Sequence, residues 1–208
     1  MKNFETEFKW DANGKNSFGR ALAAFGAIAK LSAPANLKIY DTYLDHADER
    51  FAREKIAFRV RQVGNRWQAT FKTRSEINNG KAVRREETIS LAGVKNLAAA
   101  LAFLAHKKTW KKLNVQNLKP RFTLRNHRRT FTVTYQKCKA ELALDKFSIF
   151  VCGREVKMKE IEVEFKSGNV KDFEALAAQF SVRSNLHYAK ISKVKTAETL
   201  RALWSGND

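Results

Sequence analysis

Charge in this chain is sorted by parity. In Glu5-Thr6-Glu7-Phe8-Lys9 two carboxylates and an ammonium take alternate positions, while Phe4, Phe8 and Trp10 share the other parity. Arg59 and Arg61 alternate with Phe58 and Val60, and Gln68, Thr70 and Lys72 alternate with Trp67, Ala69 and Phe71. Val83, Ile89 and Leu91 leave Arg84, Glu86, Thr88 and Ser90 on the polar parity. Arg128, Thr130, Thr132 and Thr134 oppose Phe131, Val133 and Tyr135; Glu141, Ala143 and Asp145 oppose Leu142 and Leu144; Glu160, Glu162 and Glu164 oppose Ile161, Val163 and Phe165. Side chains alternate faces along a β-strand, so each segment reads as a strand with one apolar and one polar face.

A half-buried antiparallel strand with its polar face in water explains any one of these segments. It explains the set less well, because the charges segregate by strand into Glu-x-Glu-x-Lys, Arg-x-Arg, Arg-x-Glu and Glu-x-Glu-x-Glu. Three glutamates two apart on one strand face repel one another unless cations meet them. A barrel satisfies the pattern if the charged parity turns inward, the apolar parity turns outward and helices cover the outside. A lumen with clustered carboxylates and clustered Arg and Lys suits a polyphosphate together with a divalent metal. Hard oxygen ligands fit Mg²⁺ or Mn²⁺, and guanidinium and ammonium groups neutralise phosphate oxygens.

The remaining segments predict an α+β chain that forms one domain over residues 1–208. Helical periodicity runs over Ser17–Leu31, Lys95–Leu113, the stretch VKDFEALAAQF and Ser192–Trp204. LKIYDTYLDH reads as a short strand. Val63-Gly64-Asn65, Glu76–Gly80 and Cys152-Gly153-Arg154 read as turns, and Pro120 as a break.

Composition narrows the setting. The 208 residues carry a net charge of +19, which predicts an anionic partner. Thr88 to Ala140 holds no Asp or Glu, and that run alone reads as a solvated basic face. Cys138 and Cys152 form no CxxC pair and fit a reduced, cytoplasmic context. The longest apolar run, Leu97–Ala105, is too short to span a bilayer, and the scattered histidines have no zinc-site spacing.

Taken together, these motifs resemble the CYTH superfamily, the triphosphate tunnel metalloenzymes. Glu5-x-Glu7-x-Lys9 is similar to its ExExK signature, and FRVRQVGNRWQATFK to its RxR hairpin ending in a substrate lysine. Arg84-x-Glu86, HRRTFTV, ELALD, EIEVE and Ser192-Lys193 follow in the family's order. The resemblance implies an eight-stranded antiparallel β-barrel forming a tunnel, with hydrolysis or cyclisation of triphosphate compounds inside it. It implies that Glu5, Glu7, Asp145, Glu160 and Glu162 hold Mg²⁺ or Mn²⁺. Lys9, Arg59, Arg61, Lys72, Arg84, Arg128 and Lys193 would bind the triphosphate, with Glu5, Glu7 and Lys9 the signature catalytic set. Inorganic tripolyphosphate is the expected substrate, with thiamine triphosphate and ATP as alternatives. Asn3 precedes Phe4 where the family's class IV adenylyl cyclases tend to have histidine, which argues against cyclisation.

A non-catalytic module for RNA or polyphosphate is the reading from another class. Glu-x-Glu rows repel a phosphate backbone, and no RRM, KH or P-loop signature is present. Nucleic acid is therefore a disfavoured partner that the basic charge still leaves open, and that charge would instead steer substrate to the tunnel mouths.

Overall fold

The computed structural model describes residues 3–73, 77–107, 110 and 113–205, with the backbone alone at 3, 4, 73 and 84. The strands are β1 (Asn3–Asp11), β2 (Lys30–Leu31), β3 (Ala35–Asp45), β4 (Ile56–Val63), β5 (Arg66–Thr73), β6 (Ile77–Asn78), β7 (Lys81–Ser90), β8 (Lys119–Tyr135), β9 (Cys138–Val151) and β10 (Arg154–Gly168). The α-helices are α1 (Ser17–Ile28), α2 (Arg50–Arg53), α3 (Leu97–Ala105), α4 (Val170–Ser184) and α5 (Lys193–Ser205).

The sheet runs β1-β10-β9-β8-β3-β4-β5-β7, and β7 also pairs with β1. Eight long antiparallel strands therefore close a ring. The two-residue strands β2 and β6 add to β8 and β7 at its margins, which raises the count from the expected eight to ten. β6 exists because Asn79 and Gly80, both at positive φ, make a two-residue hairpin turn. A Cβ on Gly80 would lie 1.9 Å from the Tyr188 ring, so only glycine fits there.

Several element bounds differ from the sequence expectation. The first helix stops at Ile28, because the next residues turn extended and pair with Thr134 and Val133 of β8. Pro120 does not break the chain; it lies at the second position of β8, where the pairing with β3 shifts register. A proline is tolerated there because the irregular strand end asks no ladder hydrogen bond of it. β8 consequently begins well before the RTFTVTY segment. Of the expected helix over 95–113, Leu97–Ala105 is seen, and its basic end at Lys108, Lys111 and Lys112 lies outside the described residues, as does Glu76 of the expected turn.

The apolar parity packs outward under helices. Phe8 and Trp10 of β1, Phe131 and Val133 of β8, Leu142 and Leu144 of β9, and Ile161 and Val163 of β10 meet α1 and α4. Trp10 is fully buried, edge-on to Phe180 at 4.6 Å, and its indole N–H donates to Ser181 Oγ at 2.8 Å. Truncating such a ring to alanine typically costs about 3–5 kcal/mol. Phe58 and Val60 of β4 and Ala69 of β5 are covered on the opposite side by α3, Phe51 of α2 and Trp110.

One helix departs from the expected outside cover. Tyr43, Phe122, Leu124, Phe147, Ile149 and Val151 share the inward parity of Asp41, Asn126 and Asp145, and they pack with Val194, Ala197, Leu200 and Trp204 of α5. The interior is thus polar over part of its length and filled by an apolar stopper at one end. No described helix is long and apolar enough to cross a membrane.

Candidate active site

The polar part of the interior is a cavity of about 820 Å³. Register decides what faces what across it. Lys9 lies opposite Glu162, Glu7 opposite Glu164, Glu160 opposite Asp145, and Asp145 opposite Arg128. On the other side Asp41 lies opposite Arg61, and Lys72 opposite Glu86. Two walls result, one rich in carboxylates and one rich in cations.

The acidic wall comes from β1, β9 and β10. Carboxylate oxygens of Asp145, Glu160 and Glu162 lie within 4.8 Å of one another, and all three side chains are buried. Three cations hold them. Arg128 is bidentate to Asp145 at 2.7 and 2.6 Å and also reaches Glu162. Lys193, at the first position of α5, contacts Asp145 at 2.9 Å, Glu162 at 2.8 Å and Glu160. Lys9 contacts Glu162 and lies 3.2 Å from Glu7 and 3.7 Å from Glu160.

Burial and neighbours pull these protonation equilibria in different directions. Burial pushes the Glu160 carboxyl up to about 7, and Glu162 beside it adds to the rise while Lys193 and Lys9 oppose it. Burial acts on Glu162 in the same sense, but Lys193, Lys9 and Arg128 outweigh it and hold that carboxyl well below the ordinary range. Burial alone would lower the Lys9 ammonium, yet Glu162, Glu7 and Glu160 hold it above its usual value.

The basic wall comes from β3, β4, β5 and β7. Arg61 donates two hydrogen bonds to Asp41, each 2.7 Å, and Arg59 lies 3.7 Å from the same carboxylate. Lys72 pairs with Glu5 at 3.1 Å and with Glu86 at 2.5 Å. Arg59 Nε is buried with no acceptor among the described residues. A buried N–H left without an acceptor is costly, so this guanidinium is not fully satisfied by Asp41.

The predicted residues thus divide into groups. Glu7, Lys9, Arg128, Asp145, Glu160, Glu162 and Lys193 meet in one network. Glu5 faces Lys72 rather than the carboxylate triple. The Arg84 backbone lies in β7 opposite Glu5, and its side chain lies outside the described residues. Sequence reasoning placed Glu86 in the Arg84-x-Glu86 motif but assigned it no role in the site, and it assigned none to Asp41; both are partners of the cationic wall. Both sit on the inward parity of their strands, which was the available signal.

The sequence pattern of the CYTH domain matches residues 3–197. This chain belongs to the CYTH domain family. It is 29% identical over 160 residues to the inorganic triphosphatase of Haemophilus influenzae, a match covering 77% of this chain and 45% of that protein. The chain therefore spans under half the length of that relative. Solved structures share the CYTH fold. One is a Hippeastrum protein studied as an adenylyl cyclase candidate and described as having a dominant triphosphatase activity (TM-score 0.65, 15% identity, covering 95% of this chain and 96% of that one). Another is the mimivirus capping enzyme triphosphatase (TM-score 0.52, 13% identity, covering 88% and 90%).

The clustered carboxylates of the CYTH site fit a divalent metal. The donors are all carboxylate oxygens, three of them clustered, and hard oxygen sets of this kind suit Mg²⁺ or Mn²⁺.

Proposed function

We propose that this chain hydrolyses triphosphate compounds with the help of a divalent metal, and that inorganic tripolyphosphate is its substrate. The observation that carries this reading is one cavity with a carboxylate wall facing a guanidinium and ammonium wall. Carboxylates alone would repel a polyphosphate, and cations alone would not hold a metal.

Asp145, Glu160 and Glu162 would hold the ion, with Glu7 beside them, and Mg²⁺ or Mn²⁺ would supply positive charge against the phosphoryl oxygens. The protein side chains do the rest. Arg59, Arg61 and Lys72 bind phosphate oxygens from the opposite wall, with Arg84 following them on β7. Lys9, Arg128 and Lys193 balance the carboxylates before substrate arrives and turn to phosphate when it does. Once turned to the bound phosphates, such groups would stabilise charge that develops in the reaction. A small, highly charged substrate suits the wall best, because its cations come from several strands without an obvious nucleoside pocket among them. Cys138 and Cys152 are both free thiols, in keeping with a cytoplasmic setting.

The test is phosphate release from tripolyphosphate, thiamine triphosphate, ATP and pyrophosphate with Mg²⁺ or Mn²⁺, with cyclic AMP assayed in the ATP arm. Release from tripolyphosphate that EDTA abolishes supports the proposal. Cyclic AMP as the main product, or turnover that is indifferent to EDTA, refutes it.

A further inference from the structure

The helices leave part of the barrel's outer surface bare. On that face Lys38 of β3, His127 of β8, Lys146 of β9 and Lys159 of β10 lie in direct cross-strand register. Lys38, His127 and Lys146 are exposed and Lys159 is half-buried. Among the described residues none of the four forms an ion pair. Adjacent strands are about 4.8 Å apart, so the row spans about 14 Å. Like charges directly opposite across strands are unfavourable, and a row of three lysines kept in register without an acid calls for an outside counter-charge.

A second row lies two residues along each strand, about 7 Å away. There Tyr40, 47% exposed, sits directly opposite Arg125. The Arg125 guanidinium in turn lies 4.6 Å from the ring centroid of half-buried Phe150. Two acids border this face: Glu155 lies opposite Phe150 at the far edge, 3.9 Å from Lys157, and exposed Asp11 is hydrogen-bonded to Asn13, which accepts from the Lys159 backbone N–H. The face therefore pairs a track of cations with a parallel track carrying an exposed ring and a planar guanidinium.

We propose that this outer face binds single-stranded nucleic acid, with phosphates along the Lys38–Lys159 row and bases stacked on Tyr40 and Arg125. Single strands are held by basic side chains that follow the backbone together with stacking rings, and the stack tolerates any base. A long inorganic polyphosphate would use the cation row but leave the ring idle. The carboxylate rows that argue against nucleic acid line the lumen and have no counterpart here. The site stands apart from the cavity and does not rest on the proposed hydrolysis.

The experiment is a fluorescence-anisotropy titration of the full chain with a labelled 12-nucleotide oligouridylate bearing a 5′-hydroxyl, so that no triphosphate can enter the cavity. Neutralising about four phosphates gives a log–log salt slope near −3, so affinity should fall about 60-fold between 50 and 200 mM salt. Lys38→Glu/Lys146→Glu should abolish binding, and Tyr40→Ala should weaken it about tenfold. Arg59→Ala in the cavity should leave it unchanged. Absence of binding at 50 mM salt, or binding that survives the double charge reversal, would overturn the proposal. So would a Tyr40→Ala protein that binds as before while long-chain polyphosphate competes fully, since that describes a general polyanion surface.

Discussion

The two walls of the cavity solve the same problem differently. On the acidic wall, Asp145, Glu160 and Glu162 crowd together and are balanced by cations from three separate elements, β1, β8 and α5. On the basic wall, Arg59 and Arg61 are two apart on one strand and share Asp41 from the next strand. Like charges are brought together on the first wall and spread along a strand on the second. The acidic wall is therefore the more frustrated of the two, and its Glu160 carboxyl rises to about 7 while that of Asp41 stays low. Crowded carboxylates suit a small doubly charged ion, and spaced cations suit an extended row of phosphate oxygens.

The contrast can be broken most strongly from the acidic side. Glu162→Ala removes the carboxylate that touches Lys9, Arg128 and Lys193 together. Metal-dependent tripolyphosphate hydrolysis should drop by more than ~100-fold, as measured by phosphate release. Retention of full activity by Glu7→Ala/Glu162→Ala would remove the metal assignment altogether. On the basic side the loss should be smaller and fall chiefly on binding. Arg59→Ala removes one guanidinium from several, and kcat/KM should fall by about 30-fold, equivalent to about 2 kcal/mol for a charge-assisted hydrogen bond.

Acid stability separates the walls without any substrate. Burial would raise the Asp41 carboxyl, but Arg59 and Arg61 hold it below its usual value. A lowered folded-state pKa means that the unfolded chain takes up the proton first as pH falls. The stabilisation is full above about pH 4, the ordinary Asp value, and drains away as pH drops towards the folded-state value. Asp41→Asn should therefore cost about 1–2 kcal/mol near neutrality and flatten the fall of Tm between pH 4 and pH 2. An equally steep fall in the variant would show that Asp41 does not set it. The smallest effect concerns arrival at the cavity: with a net charge of +19, kcat/KM should decline by about threefold from 20 to 200 mM salt as steering is screened. A flat response would mean that the surface charge does not guide substrate.

The barrel wall was legible because strand periodicity is local. Alternation in Glu5–Lys9, Arg59–Arg61 and Glu160–Glu164 states which residues share a face, and closing the ring only had to turn that face inward. Lateral register is not local. That Arg128 grips Asp145, or that Asp41 clamps Arg61, depends on which residues of two distant segments lie side by side, and no periodicity within either segment records it. The fate of α5 was hidden for a related reason. An apolar stripe on Val194, Ala197 and Leu200 says that the helix covers something apolar, and the inner row Phe122, Leu124, Phe147 and Ile149 competes for it with any outer row. The outer row is hidden in the same way: Lys38, His127, Lys146 and Lys159 come from four separate segments, and only the pairing of β3, β8, β9 and β10 brings them side by side.

The stopper built by α5 also governs traffic. Among the described residues, Phe122, Ile149 and Trp204 make one end apolar and leave the charged side chains towards the other. On the proposed hydrolysis, products would leave past the same cations that the next substrate meets. Phosphate and pyrophosphate would then compete with incoming substrate, so on that proposal progress curves should bend early and straighten when a coupled enzyme removes the products.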